Sequence, residues 1–161
     1  MEIYFSFVRN FAVKHKEVNK EEPDQRSKFI SDKEFKELRK FSRDKETPFL
    51  VVDLEKIGRR YDELAARMPK AKIYYAVKAN SNQEIIKTLF NEGSSFDVAS
   101  YNEFRQIYEY LKHFEEKDKD FFIWDKIIFS NTIKDRETLR KIKRYRPLVT
   151  YDNSDELMKI K

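Results

Sequence analysis

The sequence predicts an α/β fold in which strands and helices alternate to build a parallel sheet, and three features of residues 73–100 predict it. Residues 73–77 (IYYAV) read as a buried strand, and residues 83–90 set Ile85, Ile86, Leu89 and Phe90 at helical spacing. Gly93 ends that helix, and a second strand follows at residues 96–99 (FDVA). Strand, helix and strand make a βαβ unit, whose crossover is right-handed in nearly all proteins. Lys78, just past the first strand, and Asp97, within the second, therefore emerge near the carboxyl ends of neighbouring parallel strands. α/β barrels put their chemistry on that face.

The elements before this unit are simpler. Residues 1–13 are rich in apolar side chains, and the alternation of Ile3, Phe5 and Phe7 predicts a short strand. Residues 14–28 are almost wholly polar, contain Pro23 and read as a linker. Ser31 with Glu34 three residues on is a capping-box pattern, and Phe35, Leu38 and Phe41 follow at helical spacing. Residues 1–46 thus read as an N-terminal extension with a short strand and an amphipathic helix, and no chemistry is assigned to it. His15 sits in a charged setting and reads as solvated, since metal sites need several ligands together.

From residue 47 the pattern becomes regular. Residues 48–54 (PFLVVDL) predict a strand with Pro48 at its start, where a missing N–H is tolerated. The next helix places Ile57, Tyr61, Leu64, Ala65 and Met68 on one face and stops at Pro69. Beyond the βαβ unit, a helix over residues 101–114 buries Phe104, Ile107, Tyr108 and Leu111, with Glu103 in its first turn, where a carboxylate complements the helix dipole. Residues 115–120 (EEKDKD) read as a solvated charge run, and Trp124 as a plug for the underside of the sheet or its helix layer. Residues 127–129 predict a third strand leading to Ser130, Asn131 and Lys134. A helix with Leu139, Ile142 and Tyr145 inward, a strand at 148–151 and a helix from Asp155 complete the pattern.

Composition narrows the function classes. The 161 residues are 39% charged and 40% hydrophobic, with a net charge of +5 from a dense mixture of both signs. That suits solubility and an anionic ligand; a dedicated nucleic-acid binder would segregate its basic residues. The absence of cysteine excludes disulfides and thiolate metal sites. No apolar run reaches membrane-spanning length and no signal-peptide pattern follows the N-terminus, so a cytoplasmic protein is expected.

Ammonium groups are rarely buried without a partner, so Lys78 needs a physical reason for its place. One reading is a strand-end lysine that snorkels into water. The other is a lysine kept partly desolvated, whose free amine can form a Schiff base. The wording around it bears on that choice. YAVKAN at residues 75–80, FDVAS at 96–100 and Glu103 resemble the pyridoxal-phosphate decarboxylases of the ornithine/diaminopimelate group. The resemblance runs over residues 47–161. It implies an alanine-racemase-like (β/α)8 barrel, of which these residues carry the N-terminal part, about four barrel βα units, with the strand at 48–54 belonging to a separate β-domain. It further implies that Lys78 holds pyridoxal 5'-phosphate, and that Asp97 and Glu103 line the cofactor pocket. No metal, a small amino-acid substrate and a homodimer in the full-length family follow from the same resemblance.

Two stretches lean towards the ornithine branch: the SN-x-x-K turn at 130–134, where Thr132 replaces the family's proline, and VTYDNSDELMKI at 149–160. Residues 121–126 (FFIWDK) look like a small insertion against the family pattern. The expected function is pyridoxal-phosphate-dependent decarboxylation of a basic amino acid, most like ornithine to putrescine in polyamine biosynthesis, present here as a partial chain. The alternatives are a diaminopimelate decarboxylase and a non-catalytic short paralogue that binds a full-length decarboxylase. A complete barrel takes about 250 residues. The family's glycine-rich phosphate loop, ring-stacking histidine and pyridine-nitrogen glutamate are expected beyond Lys161, so weak cofactor binding and little turnover are expected of this chain alone.

Overall fold

A computed structural model describes residues 4–5, 30–46 and 48–161, which fall in two units, Met1–Val52 and Asp53–Lys161. In the first unit, strand β1 (Tyr4–Phe5) leads to helix α1 (Asp32–Phe41) and then strand β2 (Val51–Val52). The two strands pair antiparallel. The capping box is present at α1: the Glu34 N–H donates to Ser31 Oγ at 3.2 Å, and the Ser31 N–H donates to Glu34 Oε2 at 2.7 Å. The polar linker and His15 lie outside the described residues. The strand expected over residues 48–54 shortens to Val51–Val52, because Asp53 leaves it to cap the next helix.

The second unit begins with that helix, α2 (Leu54–Arg67), where the Lys56 N–H donates to Asp53 Oδ1 at 2.8 Å. Then follow β3 (Tyr74–Ala76), α3 (Gln83–Asn91), β4 (Ser95–Val98), α4 (Tyr101–Tyr110), α5 (Glu116–Lys126), β5 (Ile127–Phe129), α6 (Arg136–Lys143), β6 (Leu148–Val149) and α7 (Ser154–Ile160). The stripe expected on α2 is rotated. Leu64 and Met68 are exposed, and the buried position is Gly58, where an added Cβ would stand 3.2 Å from Glu92 Oε1. The missing side chain is what allows α2 so close an approach to the end of α3.

The sheet order is β3-β4-β5-β6, every pair parallel, with Ala76 opposite Asp97, Asp97 opposite Ile128 and Ile128 opposite Leu148. Side chains alternate across a strand. One face is accordingly a packed core: Phe96, Val98, Ile127 and Phe129 are buried together with Ile86, Leu89, Phe104, Ile107 and Ile142 from the helices. The row Ala76, Asp97, Ile128 and Leu148 belongs to the other face and stays partly exposed. Four parallel strands in sequential order, with helices covering one face, form the expected α/β arrangement of part of a (β/α)8 barrel.

The charge run at 115–120 is largely solvated, as expected, and it opens α5 with Glu116 and Asp118 in the first turn and Lys126 in the last, complementing the helix dipole at both ends. Lys72 pairs with Asp125, and Lys126 Nζ donates to the Gly93 carbonyl at 2.6 Å, so the end of α5 is tied to the amino-terminal edge of the sheet. Trp124 is 58% exposed beside Phe121 and plugs nothing within this unit, since Ile123 takes the inward position. Helix α4 ends at Tyr110, short of the expected residue 114, with Leu111 buried as its C-cap.

Candidate active site

Every helix that follows a sheet strand directly starts at the carboxyl edge of the sheet, and each has a side chain that caps it. Asn82, Ser100, Asp135 and Asn153 accept backbone N–H groups of α3, α4, α6 and α7. The same edge therefore collects several helix N-termini, whose partial positive charge favours anions.

Lys78 stands on this rim. Residues 77–79 close a single 3-10 turn at the end of β3, with Val77 fully buried and Lys78 exposed. The turn is braced from both sides: the Tyr75 hydroxyl donates to the Asn80 carbonyl at 2.9 Å, and the Asn82 N–H donates to Asn80 Oδ1 at 3.0 Å. Burial pushes the Tyr75 phenol above its ordinary pKa, which keeps the hydroxyl a donor. The expected partial desolvation of Lys78 is absent. β3 is the edge strand of the sheet, and Val77 takes the inward position, which turns the lysine outward. Among the described residues the Lys78 side chain makes no hydrogen bond and no ion pair, so nothing in this unit competes with a ligand for it.

Asp97 lies one strand away, opposite Ala76 in register. Its Oδ1 accepts the Ser130 hydroxyl at the end of β5. Glu103 does not reach across the rim. Its Oε2 accepts the Ala99 N–H at 2.6 Å, while its own N–H donates to Ser100 Oγ at 3.2 Å, which makes it half of a reciprocal cap on α4. Asn131 sits on the same rim, but its amide donates to the Ile133 carbonyl at 2.7 Å and closes its own turn.

Two contacts on this rim could not be read from the sequence, although Ser130 and Lys134 belong to the turn already singled out. Lys134, 1% exposed, donates to the Asn131 carbonyl and lies 3.2 Å from Glu156 Oε1, which is itself 6% exposed. Burial pushes the Glu156 carboxyl up; the Lys134 hydrogen bond, the Asp152 N–H and the Lys134 charge outweigh it and hold the carboxyl below its ordinary range. The partners are 22 residues apart on different elements, so no local spacing announces them. The second feature is the Ser130–Asp97 contact, invisible for the same reason.

This geometry can be set against known proteins. A profile of the pyridoxal-dependent decarboxylases, covering their pyridoxal binding domain, matches residues 54–161. The chain belongs to this family. The lysine/ornithine decarboxylase of Selenomonas ruminantium is 33% identical over 132 residues, 81% of this chain and 30% of that protein. Lysine/ornithine decarboxylase from Vibrio vulnificus, solved with cadaverine, shares the fold with a TM-score of 0.67 at 24% identity, covering 81% of this chain and 33% of that one. SrLDC, solved with PLP and cadaverine, gives a TM-score of 0.64 at 32% identity over 81% of this chain and 31% of its own. The chain thus spans about a third of the length of the decarboxylases it matches.

Residues 54–161 are a pyridoxal binding domain of the decarboxylase family, and the rim fits one end of that cofactor. An aldehyde needs an accessible lysine side chain that no other group engages, and among the described residues the exposed Lys78 meets that requirement. The phosphate end fits less well. The chain has two glycines, Gly58 within α2 and Gly93 before β4, and neither is on the rim, so the described residues offer helix N-termini but no glycine-rich cradle.

Proposed function

We propose that the chain serves pyridoxal-phosphate-dependent decarboxylation of a basic amino acid, with ornithine as the preferred substrate and putrescine as the product. The observation that carries this reading is the uncommitted amine of Lys78, held on a braced turn at the carboxyl edge of a parallel sheet in a decarboxylase-family domain. Lys78 anchors the cofactor through its aldehyde, Asp97 presents a carboxylate beside it, and Glu103 lines the pocket wall by fixing the Ala99–Ser100 backbone at the start of α4. When bound, the cofactor supplies an electron sink for the pair left behind as carbon dioxide departs. The residues of this chain hold it at its aldehyde end and orient it beside Asp97. The named relatives that act on ornithine or lysine support a basic amino acid over diaminopimelate, as do the 130–134 turn and the 149–160 stretch. The homodimer of the full-length family is part of the same proposal.

The test is to titrate the purified chain with pyridoxal phosphate, follow its visible absorbance with Lys78→Ala as control, and measure carbon dioxide release from ornithine, lysine and diaminopimelate. Weak uptake that depends on Lys78 is expected, with turnover near the detection limit because the rim lacks a phosphate cradle. Any measurable turnover should follow the order ornithine, lysine, diaminopimelate. Uptake unaffected by Lys78→Ala would refute the reading.

A further inference from the structure

Asp97 occupies an unusual place among its neighbours. Phe96 and Val98 on either side are fully buried under the helices, so the Asp97 side chain leaves the sheet on the opposite face. On that face its partner in β3 is Ala76 and its partner in β5 is Ile128, neither of which can donate a hydrogen bond. The ladder continues one residue past β5, since the Ser130 N–H donates to the Val98 carbonyl at 3.2 Å. By the alternation of the strand, Ser130 then shares a face with Ile128 and Asp97. Its hydroxyl donates to Asp97 Oδ1. Among the described residues this is the one side-chain hydrogen bond that Asp97 makes, and Oδ2 stays open on the rim.

The donor itself is firmly held. The turn that follows Ser130 is closed by the Asn131 amide on the Ile133 carbonyl, and the buried Lys134 ties the Asn131 carbonyl to Glu156 on α7. Ser130 therefore hangs from a rigid support while Asp97 has no other anchor. We infer that Ser130 is a positioning residue: its hydroxyl fixes the Asp97 carboxylate in one rotamer, with Oδ1 occupied and Oδ2 presented on the rim beside the Lys78 turn. The inference rests on the reading of Lys78 as the cofactor lysine, and it adds the end of β5 to a site whose motif residues follow β3, lie on β4 and open α4.

Three-bond couplings on the isotope-labelled full chain read the Asp97 χ1 angle without any cofactor. One rotamer is expected in the parent chain, rotamer averaging in Ser130→Ala, and one rotamer again in Ser130→Thr, which restores the hydroxyl. In parallel, the pyridoxal phosphate concentration that half-saturates borohydride-trapped labelling of Lys78 should rise about tenfold in Ser130→Ala, the effect of losing a hydrogen bond to a charged group. It should return in Ser130→Thr. The melting temperature of Ser130→Ala should fall by no more than about 5 °C and recover in Ser130→Thr, which separates positioning from general loss of structure. A χ1 that is averaged in the parent, or that stays fixed in Ser130→Ala, overturns the inference. So does a released rotamer with unchanged labelling. If the parent chain takes no label at Lys78, the functional reading falls, and the couplings still decide the role of Ser130.

Discussion

Truncation of Phe104 to alanine tests the packing that supports the rim. Phe104 is 0% exposed and joins α4 to the segment just after α6 through its ring, which lies 4.8 Å from Tyr145, and 5.9 Å from Tyr108 and 6.2 Å from Tyr101 on its own helix. Removing a fully buried phenylalanine costs about 3–5 kcal/mol, part of it from lost ring–ring contacts of about 0.5–1.5 kcal/mol each. For a chain of this size each kcal/mol moves the melting temperature by about 3 °C, so a fall of about 10–15 °C is expected. Phe121, 63% exposed, is the control, and its replacement by alanine should change stability by no more than about 0.5 kcal/mol. Thermal melts followed by circular dichroism measure both, with Phe104→Leu as the milder variant should the alanine chain fail to fold. If Phe104→Ala cost no more than Phe121→Ala, α4 would not be packed on the sheet through this face, and the placement of Glu103 would lose its basis.

Three further outcomes follow from the rim and its supports. Glu156 has a depressed carboxyl pKa in the folded chain, so its stabilisation is present above the ordinary glutamate range and is lost as pH falls through the lower folded value. Acid unfolding of the parent should therefore be steeper than that of Glu156→Gln, and equal slopes would show that the pair with Lys134 contributes nothing. Glu103→Ala removes half of the α4 cap and should cost about 0.5–1 kcal/mol in denaturant melts. Cofactor labelling of Lys78 should also weaken, and stability loss with unchanged labelling would confine Glu103 to capping. Gly93 has φ of +80° and open space around its Cα, so Gly93→Ala should cost about 1–2 kcal/mol through backbone strain alone; a neutral result in the same melts would show that the turn relaxes freely.

Local pattern carried most of the sheet into the sequence. The strands at 73–77, 96–99 and 127–129, the cap at Ser31, and the inward Leu139 and Ile142 all follow from alternation, helical spacing and turn residues. Errors arose where tertiary packing overrides local pattern. Gly58 draws α2 onto α3 and leaves Leu64 and Met68 outside, although hydropathy alone favours burying those two. Trp124 is expected inward, but α5 turns Ile123 to the core and leaves Trp124 outside, where the ties from Lys72 and Lys126 hold the end of the helix. Lys78, Asp97 and Glu103 stand out in the sequence through the YAVKAN and FDVAS wording, which local periodicity alone does not single out. The partners of Ser130, Lys134 and Glu156 were not legible, because they lie 33, 22 and 22 residues away and meet only once the sheet has formed.

Lys78 is one of many lysines in a chain with 34 Lys and Arg residues, and the account requires that it be the one the cofactor selects. Incubation of the chain with pyridoxal phosphate, reduction with borohydride and peptide mapping by mass spectrometry measures that selection directly. At cofactor concentrations near stoichiometric, the label should concentrate on the peptide containing Lys78 and disappear from that peptide in Lys78→Ala without moving to a new site. Label spread evenly over exposed lysines such as Lys117 and Lys141, with Lys78 no more reactive than they are, would contradict the account.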